Sequence, residues 1–437
     1  MQNRFDAIVV GSGLGGLMAS AGLARAGWKV LVLEQLPFIG GRYTEIDYKG
    51  YLITTGAWTN QGPRAPIATF MDEVGAYVPY ITHHDILDAS GQPSSISKYR
   101  LGDGSEYLHM NEFLSREVVR GHGTALSTPI SEETDAISTR QLMEKYFKDE
   151  LGLKIVNCLA GMWCGVNMDD LPATVYIEIA KQIFSWGKYM GFPRGGVRSL
   201  INALAGVVLG HGGQIQTLSR VKKIVVKDGA AQGVELADGS LVKARVVIHN
   251  AGAPTLLKLA GRENLPEDYC RRTDSYLPLH VGQFVLGLKA PLLKDAPALI
   301  SPDTKIVTGV FEPTFYDPTI APPGHHQVEV FWEMMTEDLQ YEHDLAWADM
   351  LTLYPHLPEI LDLKLCFYYR GAWPGAFVGQ KLGQLQDERV PTMTPIKDLY
   401  LVGFDAVGWG IGAECIPPGV RVVLGHLVGD SWKVRKS

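Results

Sequence analysis

The apolar positions near the start of the chain fall into two short runs around one longer periodic stretch. Phe5 to Val10 (FDAIVV) ends in consecutive apolar residues, the pattern of a buried strand. Leu14 to Ala26 is rich in Leu and Ala and closes at Gly27, which predicts a helix with a glycine stop. Val30 to Leu33 is a second, β-branched-rich run. Strand, helix and strand within about 30 residues form the unit of a parallel, doubly wound sheet.

The pattern is less regular further on. Ala76 to Met190 mixes polar stretches with helical patterns such as Ser138 to Phe147. Val197 to Leu209 predicts a helix ending at Gly210, Gly212 and Gly213. Strands are predicted at Gln214 to Leu218, Val221 to Lys227, Gln232 to Leu236 and Leu241 to Ile248, with Asp238-Gly239 as the hairpin turn before the last. Ala253 to Glu388 is aromatic and proline-rich. Leu399 to Val402 then runs as a strand into Gly403, and Val420 to Val428 predicts a closing helix. The chain thus leaves one α/β domain and returns to it twice. The expected segments of that domain are 1–75, 193–252 and 391–437, with 76–192 and 253–390 forming a second domain.

Composition narrows the classes. The chain has 437 residues, of which 48 are glycine, or 11% against a usual share of about 7%, with no G-X-Y period to suggest collagen. The excess points to tight turns or close backbone approach. Forty Lys and Arg against 47 Asp and Glu give a net charge of −7, and no basic run reaches five residues, so nucleic acid is not expected as a partner. Five cysteines without a C-x-x-C argue against a disulfide framework or thiolate zinc site and fit a reducing compartment. No apolar run reaches the roughly 18 residues of a membrane span. Ala7 to Ala24 resembles a signal-peptide core, but its glycines and the preceding Asp6 make folded protein the better reading. The His83-His84 and His325-His326 pairs lack metal-ligand spacing, so no metal is expected.

Between the first strand and helix stands Gly11-Ser12-Gly13-Leu14-Gly15-Gly16, a G-x-G-x-x-G. Gly11 permits the turn, Gly13 lets backbone approach a pyrophosphate, and Gly16 lets the helix pack on the strand. The helix start adds amide donors and a positive dipole end. Glu34 ends the second strand 18 residues after Gly16, where a carboxylate accepts from both hydroxyls of an adenosine ribose. Gly40-Gly41-Arg42 follows six residues on and supplies close approach and a cation for phosphate.

The opening GSGLGGLMASAGLARAGWKVLVLEQLPFIGGR resembles the FAD-binding start of the flavin amine oxidase and phytoene desaturase superfamily. Three later segments agree in order: Tyr51 to Ala57 (YLITTGA), Phe192 to Leu204 (FPRGGVRSLINAL) and Leu399 to Gly419. Together they cover roughly half the chain. The resemblance implies an α/β fold: a Rossmann-like FAD-binding domain of the GR2 type, with a parallel sheet and β-hairpin insertions, plus a discontinuous α+β substrate or cap domain. It implies FAD contacts at Gly11, Gly13, Leu14, Gly15, Gly16, Glu34, Gln35, Gly41, Arg42, Gly56, Ala57, Trp58, Val221, Asn250, Gly403, Asp405, Gly419 and Val420. In this scheme Val221 brackets the adenine through its backbone, and Asp405 faces the ribityl-phosphate region. Gly419 and Val420 open the last helix toward the flavin, where a helix N-terminus stabilises negative charge on the reduced ring. Thr54-Thr55-Gly56 departs from the acidic residue usual before that glycine. The length, below that of typical carotenoid desaturases, suggests a smaller cap and a smaller substrate.

No second G-x-G-x-x-G for a nicotinamide cofactor and no G-x-S-x-G elbow occur. The leading expectation is therefore an FAD-dependent oxidoreductase that forms or reduces a C=C bond in a lipophilic, terpenoid or alicyclic substrate, by hydride transfer at flavin N5. Glu414, Trp409 and Tyr189 are the candidate catalytic residues, Glu414 as an acid or base. Oxygen, a quinone or another carrier would accept the electrons. The alternatives are a flavin-dependent isomerase or hydratase, an amine oxidase, and a non-enzymatic carrier of prenylated proteins of the GDP-dissociation-inhibitor type. The expected location is the cytoplasm, with peripheral membrane contact as a further option, and the oligomeric state is open.

Overall fold

The computed structural model describes residues 4–56, 62–88, 90–186, 190–371, 377–385, 388–408 and 412–434. Phe5–Val10 lies at the centre of a seven-stranded sheet. It runs parallel to Val30–Leu33 on one side and to Leu241–His249 on the other, so that Val9 faces both Val32 and Ile248. Gln214–Gln216 extends the sheet beyond Val30–Leu33, again parallel. Leu241–His249 serves two neighbours on its far side. Its last residues pair in parallel with Leu399–Leu401, and its first residues pair antiparallel with Ala230–Leu236, which carries Val221–Lys227 outward. The strand predicted from Gln214 stops at Gln216 because Leu218 turns at φ 54 and its amide bonds to the Leu36 carbonyl.

Helix Leu14–Arg25 covers one face of this sheet and is buried along nearly its whole length. Its crossing with the closing helix Ile416–Val428 needs Gly22, because a Cβ there would lie 2.5 Å from Leu424 Cδ1. The closing helix starts four residues earlier than the pattern predicts, with Pro417 and Pro418 in its first turn, where a missing amide costs little. Leu17, Leu200, Val420 and Trp432 join one apolar core beneath the sheet.

A second seven-stranded sheet fills the region that the sequence pattern leaves without elements. Val281–Leu288 sits between His326–Glu333 and Leu361–Tyr369, antiparallel to both. Gly309–Phe311, Ala298–Ile300, Lys98–Arg100 and Glu106–Tyr107 continue it. Every residue of Val281–Leu288 is buried, so the strand shows no polar alternation, and Gln283 and two glycines break its apolar run. Helices Glu150–Cys164 and Ala173–Trp186 build a separate apolar cluster beside this sheet. The two halves meet at the hairpin of Glu45–Tyr48 and Tyr51–Thr54, where the Tyr51 ring fills the space left by Gly287 of the central strand. Among the described residues no helix is long and apolar enough to cross a membrane.

Candidate functional site

The glycine-rich turn is a cradle that side chains would fill. Gly11 has φ 96, open to glycine without strain. A Cβ on Gly16 would strike the Gly11 carbonyl, which holds the helix start tight against the strand. A Cβ on Gly13 would come within 2.6 Å of Asn250 Nδ2, and one on Gly15 within 2.8 Å of Asn250 Oδ1. Gly403 approaches the same Asn250 oxygen, at 3.1 Å from its would-be Cβ. Asn250 follows Leu241–His249 directly and bonds through its amide to the Val10 carbonyl. The ends of three parallel strands thus bring Gly13 to Gly16, Asn250 and Gly403 to one point, the carboxyl edge where open α/β sheets bind ligands. Helix Leu14–Arg25 has no side-chain cap on Gly13, so its first amides are available to an anion.

Glu34 sits at the end of this edge and is buried. Its Oε2 accepts from the amide and hydroxyl of Ser12, and its Oε1 from the Leu36 amide at 2.9 Å. Since a carboxylate oxygen has room for about two bonds, Oε1 retains capacity for a hydroxyl. The backbone after Glu34 holds the turn that leads into Val221, through Ser219 N to Glu34 O at 2.7 Å. Val221 is buried at the start of its strand, while Gln35 is exposed.

The Gly40-Gly41 turn lies against the cradle. Gly40 donates to the Ser12 carbonyl at 3.0 Å, and Gly41 passes close to the Gly13 Cα. Arg42, next in the chain, is half-buried. Burial pulls its guanidinium below the usual arginine range, while Asp405 and Tyr369 support its charge. Asp405 is almost fully buried. Burial pushes its carboxyl up, opposed by Arg42 and by Arg389. Gly56 packs against Arg42, its would-be Cβ 2.6 Å from the Arg42 carbonyl. Gly419 and Val420 are buried in the first turns of the closing helix.

The structure gives Glu414 a defined partner. The side chain has no exposed surface, and its Oε2 accepts from the Ile67 amide at 2.7 Å. It thereby serves the start of helix Pro66–Val74, where the Ala65 cap position offers no side-chain acceptor. Ala57, Trp58, Tyr189 and Trp409 lie outside the described residues.

Sequence reasoning missed a polar layer between the second sheet and the strand Tyr51–Thr54 of the hairpin. Thr54, Gln283, Gln327, Glu329 and Tyr369 share one face and bond to one another. The signal was present as single polar residues inside apolar runs, Gln283 in VGQFVLGL and Glu329 in HQVEVFWE. Ser12 and Arg389 were also missed; the Arg389 guanidinium is buried among the carbonyls of Gln384, Phe404 and Gly379.

These donors and spaces fit a dinucleotide: a cradle too narrow for side chains, uncapped helix amides, a buried carboxylate with room for a further hydroxyl and a half-buried arginine. Comparison with known proteins agrees. The family model of flavin-containing amine oxidoreductases matches residues 14–406. An uncharacterized protein of Methanocaldococcus jannaschii is 27% identical over 96% of this chain and 98% of its own. The prolycopene isomerase of Daucus carota is 26% identical over 83% of this chain and 68% of its own length. The phytoene desaturase of Rhodobacter capsulatus is 26% identical over 93% and 75%. Among solved structures, an oxidoreductase of Methanosarcina mazei superposes with a TM-score of 0.83 at 27% identity, covering 96% of this chain and 99% of that one. The chain belongs to the flavin-containing amine oxidoreductase family, and its cofactor is FAD.

Proposed function

We propose that the protein is an FAD-dependent oxidoreductase acting on a carbon–carbon bond of a lipophilic, terpenoid or alicyclic substrate, forming or reducing a C=C. The observation that carries this reading is the likeness to phytoene desaturases, which extends over 93% of the chain in the Rhodobacter capsulatus protein and so includes the second sheet as well as the cradle. FAD, when bound, supplies a two-electron acceptor at its ring N5.

The chain's own residues then have separate tasks. Glu34 holds the adenosine ribose, and the amides of the Leu14–Arg25 helix start and Arg42 hold the phosphates. The apolar helices Glu150–Cys164 and Ala173–Trp186, which pack into one buried cluster beside the second sheet, belong to the part of the chain we assign to a hydrocarbon substrate. Glu414 keeps the closing helix and helix Pro66–Val74 in register, a positioning role. Oxygen, a quinone or another carrier receives the electrons.

A second reading has its own support. The likeness to prolycopene isomerase covers 83% of the chain and favours rearrangement of a polyene without net redox. The fold likeness to putrescine oxidase, at 16% identity, speaks for architecture alone. Product mass separates the readings. FAD-loaded protein is incubated with polyene and isoprenoid alkene candidates and a quinone. A product lighter or heavier by two hydrogens supports the oxidoreductase. A product of unchanged mass and altered geometry supports the isomerase, and turnover of amines alone overturns both.

A further inference from the structure

Glu329 is fully buried in strand His326–Glu333. Three neutral donors converge on its carboxyl: the Thr54 hydroxyl at 3.0 Å, Gln283 Nε2 at 2.8 Å and Gln327 Nε2 at 3.2 Å. Among the described residues no Lys or Arg forms an ion pair with it. Such a group is caught between two costs. The donors solvate the anion, yet among the described residues no ion pair compensates its charge in this buried layer. Burial and the nearby Glu45 carboxylate raise the carboxyl to about 8 despite the three donors.

The network leads from this carboxyl to the cofactor cradle at both ends. Gln283 Oε1 accepts from the Tyr369 hydroxyl at 2.8 Å, and Tyr369 supports the charge on Arg42. On the other side Thr54 is followed by Thr55, which donates to the Gly41 carbonyl at 2.9 Å, and by Gly56, which packs on Arg42. We propose that Glu329 is a redox-linked proton acceptor of the flavin site, taking up one proton when the site gains two electrons. This inference rests on the FAD-dependent redox reading and adds a residue to it.

The balance is simple. Two electrons and one proton enter the cofactor, as when a substrate C–H is delivered as hydride. The added negative charge in the low-dielectric layer raises the affinity of the Glu329 carboxylate for a second proton, such as the one released from the neighbouring substrate carbon. Glu329 is already protonated well below pH 8 in either redox state, so the extra uptake appears only near and above that value. The other charged and titratable groups facing this layer are Glu45, whose strand pairs with that of Thr54, Tyr369, and beyond it Arg42 and Asp405. On its own strand Glu333 pairs with Lys381, and His326 with Glu312.

The test is the midpoint potential of the FAD-loaded protein, poised with dithionite and mediator dyes, against pH. The wild type should take up one proton per two electrons just on the acid side of about pH 8, rising toward two in a window that opens there and closes where Glu329 stays ionised in both redox states. Glu329→Gln keeps the carboxyl's shape and should hold at one proton throughout, with the higher potential above that pH. A one-proton slope in the wild type across the whole range overturns the proposal, and so does a break that persists in Glu329→Gln. If that variant does not fold, Thr54→Val, which removes one donor to the carboxylate and so raises its proton affinity, should move the wild-type break to higher pH, and an unmoved break overturns the proposal. Because dithionite replaces the organic substrate, a flat profile leaves the carbon–carbon reading standing, whereas a protein that holds no flavin overturns both.

Discussion

The Ser12 amide and hydroxyl both donate to Glu34 Oε2, at 2.8 and 2.7 Å. The two residues are 22 positions apart and meet because adjacent parallel strands end side by side. This fixes the carboxylate in the position from which we propose that it holds the ribose. Glu34→Ala removes a charged acceptor whose hydrogen bonds are worth about 1.5–3 kcal/mol. FAD affinity, read by quenching of flavin fluorescence on titrating apoprotein, should fall about 10- to 100-fold. Unchanged affinity would remove Glu34 from the ribose contact.

Two glycine substitutions should part ways. Gly16→Ala drives a methyl into the Gly11 carbonyl and should cost about 1–3 kcal/mol, with loss of FAD retention on gel filtration. Gly206→Ala, in helix Arg198–Gly210, has no atom within 4 Å of its new methyl. There helix propensity should dominate and stabilise the protein by about 0.5–1 kcal/mol in urea unfolding. Equal effects at the two sites would contradict the close packing of the cradle.

Glu414→Ala leaves the Ile67 amide without its acceptor and should lower stability by about 1–3 kcal/mol. Glu414→Gln retains an acceptor oxygen and should restore most of that loss together with turnover. Loss of turnover in Glu414→Gln at unchanged melting temperature would instead make Glu414 an acid or base.

Burial lowers His122 and His249 to about 4, below the ordinary histidine value of 6.5. The unfolded chain then binds more protons between those values, so these residues make stability fall as pH drops from about 6.5 to about 4, by on the order of 3 kcal/mol each at the acid end. Glu45 and Glu329, raised to about 7 and about 8, act oppositely: their contribution is lost as pH rises above the ordinary carboxyl value. Single variants isolate the terms. His122→Gln should be relatively better tolerated at pH 5 than at pH 7 in urea melts, and an equal cost at both would contradict a neutral buried imidazole.

The N-terminal unit was legible because its information is local. FDAIVV, the glycine-closed helix and the VLVL run each show one period, and Gly11 to Gly16 sits where strand becomes helix. The second sheet was not legible, because Val281–Leu288 is buried on both faces and its partners lie some 40 and 80 positions away. That Glu34 and Arg42 stand beside the glycine-rich cradle could be read from spacing. Glu329 could not, since its meaning depends on Thr54 and Gln283, which only folding brings to it. Glu414 shows the converse: an acid in a conspicuous glycine-rich segment has a helix start as its partner.

The most direct test of the carbon–carbon redox account is the visible flavin band of the FAD-loaded protein, mixed without oxygen with lipophilic polyenes and their saturated counterparts. The account expects the band to bleach with a partially saturated substrate, in step with a product two hydrogens lighter, or the dithionite-bleached band to recover with an unsaturated one as it gains two hydrogens. Conversion of substrate with the band unchanged and the product mass unaltered would contradict it.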